Sequence, residues 1–237
     1  MGLGVLLVCL PMVFMGWLLA AAQWKKMDPI TVRMPMSLRQ TVAAVVTQKA
    51  AWNDRPTFAR AVKLDPESAV GWDGLCSATE VEKDAKTELA NCRKAVALSD
   101  NASDEDVIGQ ALEKLGDPCA AAESYRKASS MGSGGSLYPQ HMGEAALACG
   151  DLTLARSGLE LAVQNATKEL ADEDGEEDDK KDTQQRLSEE REFLIVVYDR
   201  MKQPQLANAT CKVEHPDWKR GCDCEVDKDG DVSCGER

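Results

Sequence analysis

The sequence predicts an all-α array of stacked helical hairpins, on three observations. Gly109, Gly116, Asp117, Ala121 and Ala128 recur 34 positions on at Gly143, Gly150, Asp151, Ala155 and Ala162, while Leu115 is answered one position out of step by Ala148. The pairs Ala61/Ala95 and Phe58/Cys92 keep that spacing upstream, so the period runs through roughly four units, the signature of stacked supersecondary structure. Gly116-Asp117-Pro118 and Gly150-Asp151 each follow an alanine-rich apolar stretch, where a helix ends at Gly and a tight turn begins.

The same period, with Trp72-x-x-Leu75-Cys76, Ala121-x-x-x-Tyr125 and the closing Leu64-Asp65-Pro66, resembles the tetratricopeptide repeat. That unit is a helix-turn-helix patterned W-x2-L-G, then A-x3-F, then P. The resemblance covers about residues 35 to 166, although Cys76 stands where the pattern has Gly and the first unit lacks the Trp-Leu-Gly run. It implies a short helical-hairpin solenoid that recognises protein rather than performing chemistry. Gly109, Gly143, Ala128 and Ala162 carry small side chains where helices would touch, and each hairpin needs its neighbour to bury its second apolar face.

The elements follow in order. Residues 1–26 read as a signal-anchor or a signal peptide. From Leu3 to Ala22 no charge interrupts the chain, and Trp24, Lys25 and Lys26 suit a membrane interface, so the segment is long enough to span as an anchor helix. Ala20-Ala21-Ala22 also offers a cleavage site before Gln23, which would release a secreted protein. Residues 27–168 are the repeats. Aromatics are only 5% of the chain, so the core must be mostly Ala, Leu and Val.

Residues 169–184 read as an acidic flexible loop, because the stretch 172–182 holds eight acids against two lysines, half of the net charge of -12. A capping helix is expected over 185–204: Leu187, Phe193, Leu194, Val197, Tyr198 and Met201 form one stripe, with Pro204 as a stop. Residues 205–237 are a Cys-rich tail. Its end reads as a hairpin with a three-residue loop, Lys228-Asp229-Gly230, setting Val226 opposite Val232 and Cys224 opposite Cys234.

With Cys9 set aside in the apolar segment, eight cysteines remain. On the repeat pattern, Cys76 lies at the close-packing site of one helix and Cys92 on the inward face of its partner. Cys119 begins a second helix and Cys149 ends the next first helix, which antiparallel packing brings together. The hairpin pairs Cys224 with Cys234, leaving Cys211 with Cys222. The alternatives are buried free thiols or zinc held by the tail cysteines, against which the close pair Cys222-x-Cys224 is a poor match to the usual spacing.

Disulfides imply an oxidising compartment. Lys25, Lys26, Arg33 and Arg39 follow the apolar segment and none precedes it, which by the positive-inside rule points the other way. The cysteines decide the expectation here: a soluble region outside the cytoplasm, periplasmic or in the secretory-pathway lumen.

The net charge of -12 excludes nucleic acid as a partner. No catalytic constellation, cofactor, metal site or small-molecule substrate is expected: His141 and His215 lack motif-level partners, and Gly230 comes too early for Asp227, Asp229 and Asp231 to form a calcium loop. Asn101, Asn165 and Asn208 head glycosylation-type triplets that equally suit helix caps. In tetratricopeptide arrays ligands lie along the first helices of successive repeats. The resemblance therefore implies a groove near Asp73, Ser77, Glu80, Asp106, Gln110, Glu113, Gln140 and Glu144. Its acidity suggests a protein or peptide segment bearing Lys or Arg; the plainer reading is a set of solvated helix faces. The leading function is a non-enzymatic, membrane-tethered adaptor. The alternatives are a structural or assembly component of a cell envelope, and a metal-binding regulatory tail.

Overall fold

The computed structural model describes residues 35–48, 50–81, 84–132, 134–171, 177–228 and 230–237, together with residue 33. The expected anchor or signal segment, 1–26, lies outside the described residues. Among the described residues no helix is long and apolar enough to cross a membrane. The chain divides at Asp100/Asn101 into two compact units.

The first unit contains two helical hairpins: α1 (Met36–Thr47) with α2 (Arg55–Leu64), and α3 (Ala69–Val81) with α4 (Ala85–Val96). Asp54 and Asp84 start α2 and α4 by accepting hydrogen bonds from the backbone N–H of Thr57 and Thr87, satisfying donors that the first turn leaves open. Val42, Ala43 and Val46 of α1 close on Ala61 and Leu64 of α2. The next seam joins Phe58 to Leu75 and Ala78, flanked by Trp72. Trp72 Nε1 donates to the Pro66 carbonyl at 2.9 Å, so the aromatic that opens one repeat holds the turn that closes the last.

The second unit runs α5 (Ala102–Lys114), α6 (Pro118–Ser130), α7 (Leu137–Cys149), α8 (Leu152–Ala171), α9 (Glu177–Arg200) and α10 (Pro204–Glu214), then strands β1 (Cys222–Val226) and β2 (Val232–Glu236). Each helix from α5 to α10 packs on its successor, and the hairpin packs on α9. The recurring Gly-Asp pair does two jobs. Gly116 and Gly150 take φ of 80° and 87°, the left-handed cap that glycine adopts at low cost. The following N–H groups of Asp117 and Asp151 return to the Leu112 and Ala146 carbonyls, each at 2.9 Å. The side chains of Asp117 and Asp151 then cap the next helices at Ala120 and Leu154.

The small residues sit at helix contacts, as the period requires. A methyl group on Gly109 would run into the ring of Tyr125, a side chain only 1% exposed. At the next seam a methyl group on Gly158 would lie 2.7 Å from the backbone N of Gly143, so two helices touch backbone to backbone there. Ala128 and Ala162 are fully buried.

All four expected disulfides are present. Cys76–Cys92 joins α3 to α4, Cys119–Cys149 joins the start of α6 to the end of α7, Cys211–Cys222 joins α10 to β1, and Cys224–Cys234 crosses the hairpin. The strand register sets Cys224 against Cys234 and Val226 against Val232.

Two expectations need correction. The acidic loop is not a loop over its described part: α8 continues to Ala171 and α9 begins at Glu177, eight residues before the expected start of the cap. Asp178 and Asp179 lie in the N-terminal turn of α9, where the helix dipole favours negative charge. The Glu, Gln, Lys and Arg residues that follow are good helix formers; like charge was given too much weight against position. Residues 172–176 lie outside the described residues. Pro204 does not simply stop α9 either: it is the first residue of α10, the position where its missing N–H costs nothing.

Candidate functional site

Within the second unit, α5 and α7 bring most of the expected groove residues onto one polar seam. Asp106 is 6% exposed and Gln140 9%, so neither is a solvated surface group. Asp106 Oδ1 lies 2.7 Å from His141 Nδ1, and Asp106 Oδ2 accepts from Gln110 Nε2 at 2.8 Å. One turn along α7, Gln140 Nε2 donates to Glu144 Oε1 at 2.8 Å. From α6, Tyr125 donates its hydroxyl proton to Glu113 Oε2 at 2.7 Å, while its ring tilts against His141 at 5.1 Å.

Charge and burial are coupled across this network. Burial opposes charge on His141, but the bond to Asp106 and the carboxylates of Glu144 and Glu113 outweigh it and raise its pKa above the usual histidine value. Burial raises Glu144 above the usual carboxylate range, against the Gln140 bond and the attraction of His141. Burial and then Glu113 hold the Tyr125 phenol protonated. The polar groups are thereby fixed in place as an acceptor-rich wall.

At one end this wall opens into a cleft of about 600 Å3, where Glu113 and Glu144 face Leu147, Phe193 and Arg200 of the same unit. The tip of the disulfide-bonded hairpin, through Val226, Lys228 and Asp231, closes the far side. Asp73 and Ser77 are half-buried on α3 of the first unit, and the side chain of Glu80 lies outside the described residues.

The sequence reading missed the partner of His141. Asp106 and His141 stand 35 positions apart, one more than the repeat period, and so occupy neighbouring rows of adjacent first helices; that offset was the available signal. The contribution of Phe193, Arg200 and the hairpin tip had no local signal, because long-range packing brings them to the cleft. Two of the asparagine triplets show structural roles: Asn101 Oδ1 accepts from Ser103 N–H at the start of α5, and Asn165, in the body of α8, donates to the Gly135 carbonyl.

No protein-family model matches the chain, and no curated protein matches it by sequence. Solved structures do match. One is YrrB, described as a TPR protein with an unusual peptide-binding site, at 15% identity and a TM-score of 0.57, covering 81% of this chain and 92% of that one. Another is the C-terminal part of a TPR repeat-containing protein from Cytophaga hutchinsonii, at 14% identity and a TM-score of 0.52, covering 84% and 72%. A third is MamA, at 12% identity and 0.50, covering 76% and 94%. The likeness is one of fold, and that fold is the tetratricopeptide repeat.

Proposed function

From the tetratricopeptide-repeat fold as premise, we propose that this chain is a non-enzymatic adaptor that binds a protein or peptide segment along the α5–α7 face. The observation that carries the reading is the cleft where Glu113 and Glu144 meet the apolar walls of Leu147 and Phe193. Such a site suits a partner side chain with an apolar stem and a cationic head, Lys or Arg, with the carboxylates setting association rate and salt dependence. The peptide-binding site described for YrrB supports the same use of the fold by analogy.

Four disulfides support work in an oxidising compartment outside the cytoplasm. The uncharged run from Leu3 to Ala22 supports a membrane tether. A second reading, a structural or assembly component, is favoured by a largely apolar cleft of about 370 Å3 between α8, α9 and α10, lined in part by Val163, Leu194, Tyr198 and Val213. Val213 is 62% exposed.

The test is fluorescence anisotropy with labelled Lys/Arg-rich peptides against acidic controls, alongside capture from the native host. The double variant Glu113→Lys, Glu144→Lys is expected to weaken basic-peptide binding tenfold or more, because it reverses two charges that face the cleft. Unchanged binding by a folded variant refutes the acidic-groove reading.

A further inference from the structure

The tail carries a cluster that neither the groove nor the disulfide pattern accounts for. One donor atom each from Glu192 on α9, His215 at the end of α10 and Cys234 on β2 lies within 4.8 Å of the others. All three residues are partly buried. The His215 ring is held in plane by Trp218, stacked at 3.8 Å with 13° between the rings. Its Nε2 is buried, has no hydrogen-bond partner, and lies 3.4 Å from Glu192 Oε1. An oriented imidazole nitrogen held only by a long ion pair to a carboxylate supplies, with that carboxylate, two of the donors a metal site needs.

The missing half is locked away. Cys234 Sγ is bonded to Cys224 Sγ at 2.00 Å, and a disulfide sulfur offers neither the charge nor the lone-pair basicity of a thiolate. We propose that opening the Cys224–Cys234 disulfide converts this corner into a zinc site, with Cys224, Cys234, His215 and Glu192 as ligands. Donor atoms around tetrahedral zinc stand about 3.5 Å apart, so the Glu192, His215 and Cys234 donors, within 4.8 Å of one another, would close by at most about 1.3 Å, while the two sulfurs, freed from each other, would move apart from 2.00 Å. The four ligands come from α9, the end of α10, β1 and β2, so bound metal would join the two strands of the hairpin to each other and to α9 once the Cys224–Cys234 bond is open.

The chemistry balances with a dithiol as reductant. Its two electrons break the S–S bond, its two protons go to the new thiols, and it leaves as a disulfide. Zinc then takes both sulfurs as thiolates and releases two protons to solvent. The inference does not depend on the adaptor reading.

The decisive experiment needs no reductant. In the full-length chain, Cys224→Ser leaves Cys234 as a free thiol while the other three disulfides still form. Purified metal-free and titrated with Co2+, it is expected to bind one ion per chain with thiolate-to-cobalt charge-transfer absorption, at least tenfold more tightly than the disulfide-bonded chain. Adding His215→Ala or Glu192→Gln should each weaken binding tenfold or more. In the fully reduced wild-type chain, Zn2+ should slow alkylation of Cys224 and Cys234, mapped by mass spectrometry, and leave the rates at Cys76, Cys92, Cys119 and Cys149 unchanged. Cobalt binding by Cys224→Ser no tighter than by the disulfide-bonded chain, or binding that survives His215→Ala, overturns the proposal; so does zinc protection confined to Cys211 and Cys222.

Discussion

Glu190 is a buried carboxyl whose oxygens make no hydrogen bond, and replacing it with Gln is expected to stabilise the protein increasingly as pH rises. Its side chain is 0% exposed. Burial is the main cause that pushes its pKa up to about 8; Glu169 and Glu144 add to it, while Arg186 and Arg191 oppose it. Below the unfolded value of 4.5 both states hold the proton and ionisation of Glu190 contributes nothing to the stability difference. Between there and about 8 the unfolded chain has lost the proton and the folded one has not, so stability drains away with rising pH until the folded carboxyl ionises. The interval from 4.5 to about 8, at about 1.4 kcal/mol per pH unit, sets a ceiling of about 5 kcal/mol. Local relaxation and water entry bring the expected difference near pH 9 to about 2–4 kcal/mol. Glutamine has the same shape and no charge to lose. Urea unfolding of both proteins at about pH 5, 7 and 9 should give nearly equal stability at the acid end and a widening advantage for Glu190→Gln above it. Parallel curves across that range would refute the reasoning.

Three further outcomes are expected. Gly109→Ala forces a methyl group into the Tyr125 ring and should cost about 1–3 kcal/mol, seen as a lowered midpoint in thermal unfolding. The pair Cys119→Ser, Cys149→Ser removes a link spanning 30 residues and should cost about 2–4 kcal/mol in chemical denaturation. The Asp106–His141 bond raises the His141 pKa above 6.5, so its contribution is fully present below 6.5 and is lost as pH rises through the folded value. Asp106→Asn should drop the His141 pKa below 6.5 in an imidazole NMR titration, because burial then meets less opposition, and should remove that pH dependence of stability.

How much was legible follows from the range of the forces involved. The Gly-Asp turns could be read because Gly116, Asp117, Gly150 and Asp151 perform local jobs, a left-handed cap and a side-chain cap, within a few residues of themselves. Cys76–Cys92 and Cys119–Cys149 could be read because a 34-residue period converts position in sequence into position in space, Cys224–Cys234 because the hairpin register sets the two opposite, and Cys211–Cys222 as the pair that remained. The N-terminus of α9 was not legible because net charge alone does not show the orientation that a helix end gives Asp178 and Asp179. The burial of Asp106 and Gln140 was invisible in a helical wheel, which assigns a face without showing what covers it. The Glu192–His215–Cys234 cluster joins three elements that share no period, so nothing in the spacing announced it.

The placement of the disulfides connects stability to the proposed use of the cleft. A two-stranded hairpin is marginal in water by itself, and β1 and β2 span only five residues each. Cys224–Cys234 holds β1 to β2, and the pair is positioned by Cys211–Cys222, which ties β1 to α10, and by packing on α9. Because the tip of this hairpin forms one wall of the cleft containing Glu113 and Glu144, loosening the staples would widen the cleft before any repeat melted. Basic-peptide binding should therefore fall in a Cys211→Ser, Cys222→Ser chain whose helical circular dichroism is unchanged. If binding instead stays at the wild-type level, the hairpin is a bystander and the helices alone make the site.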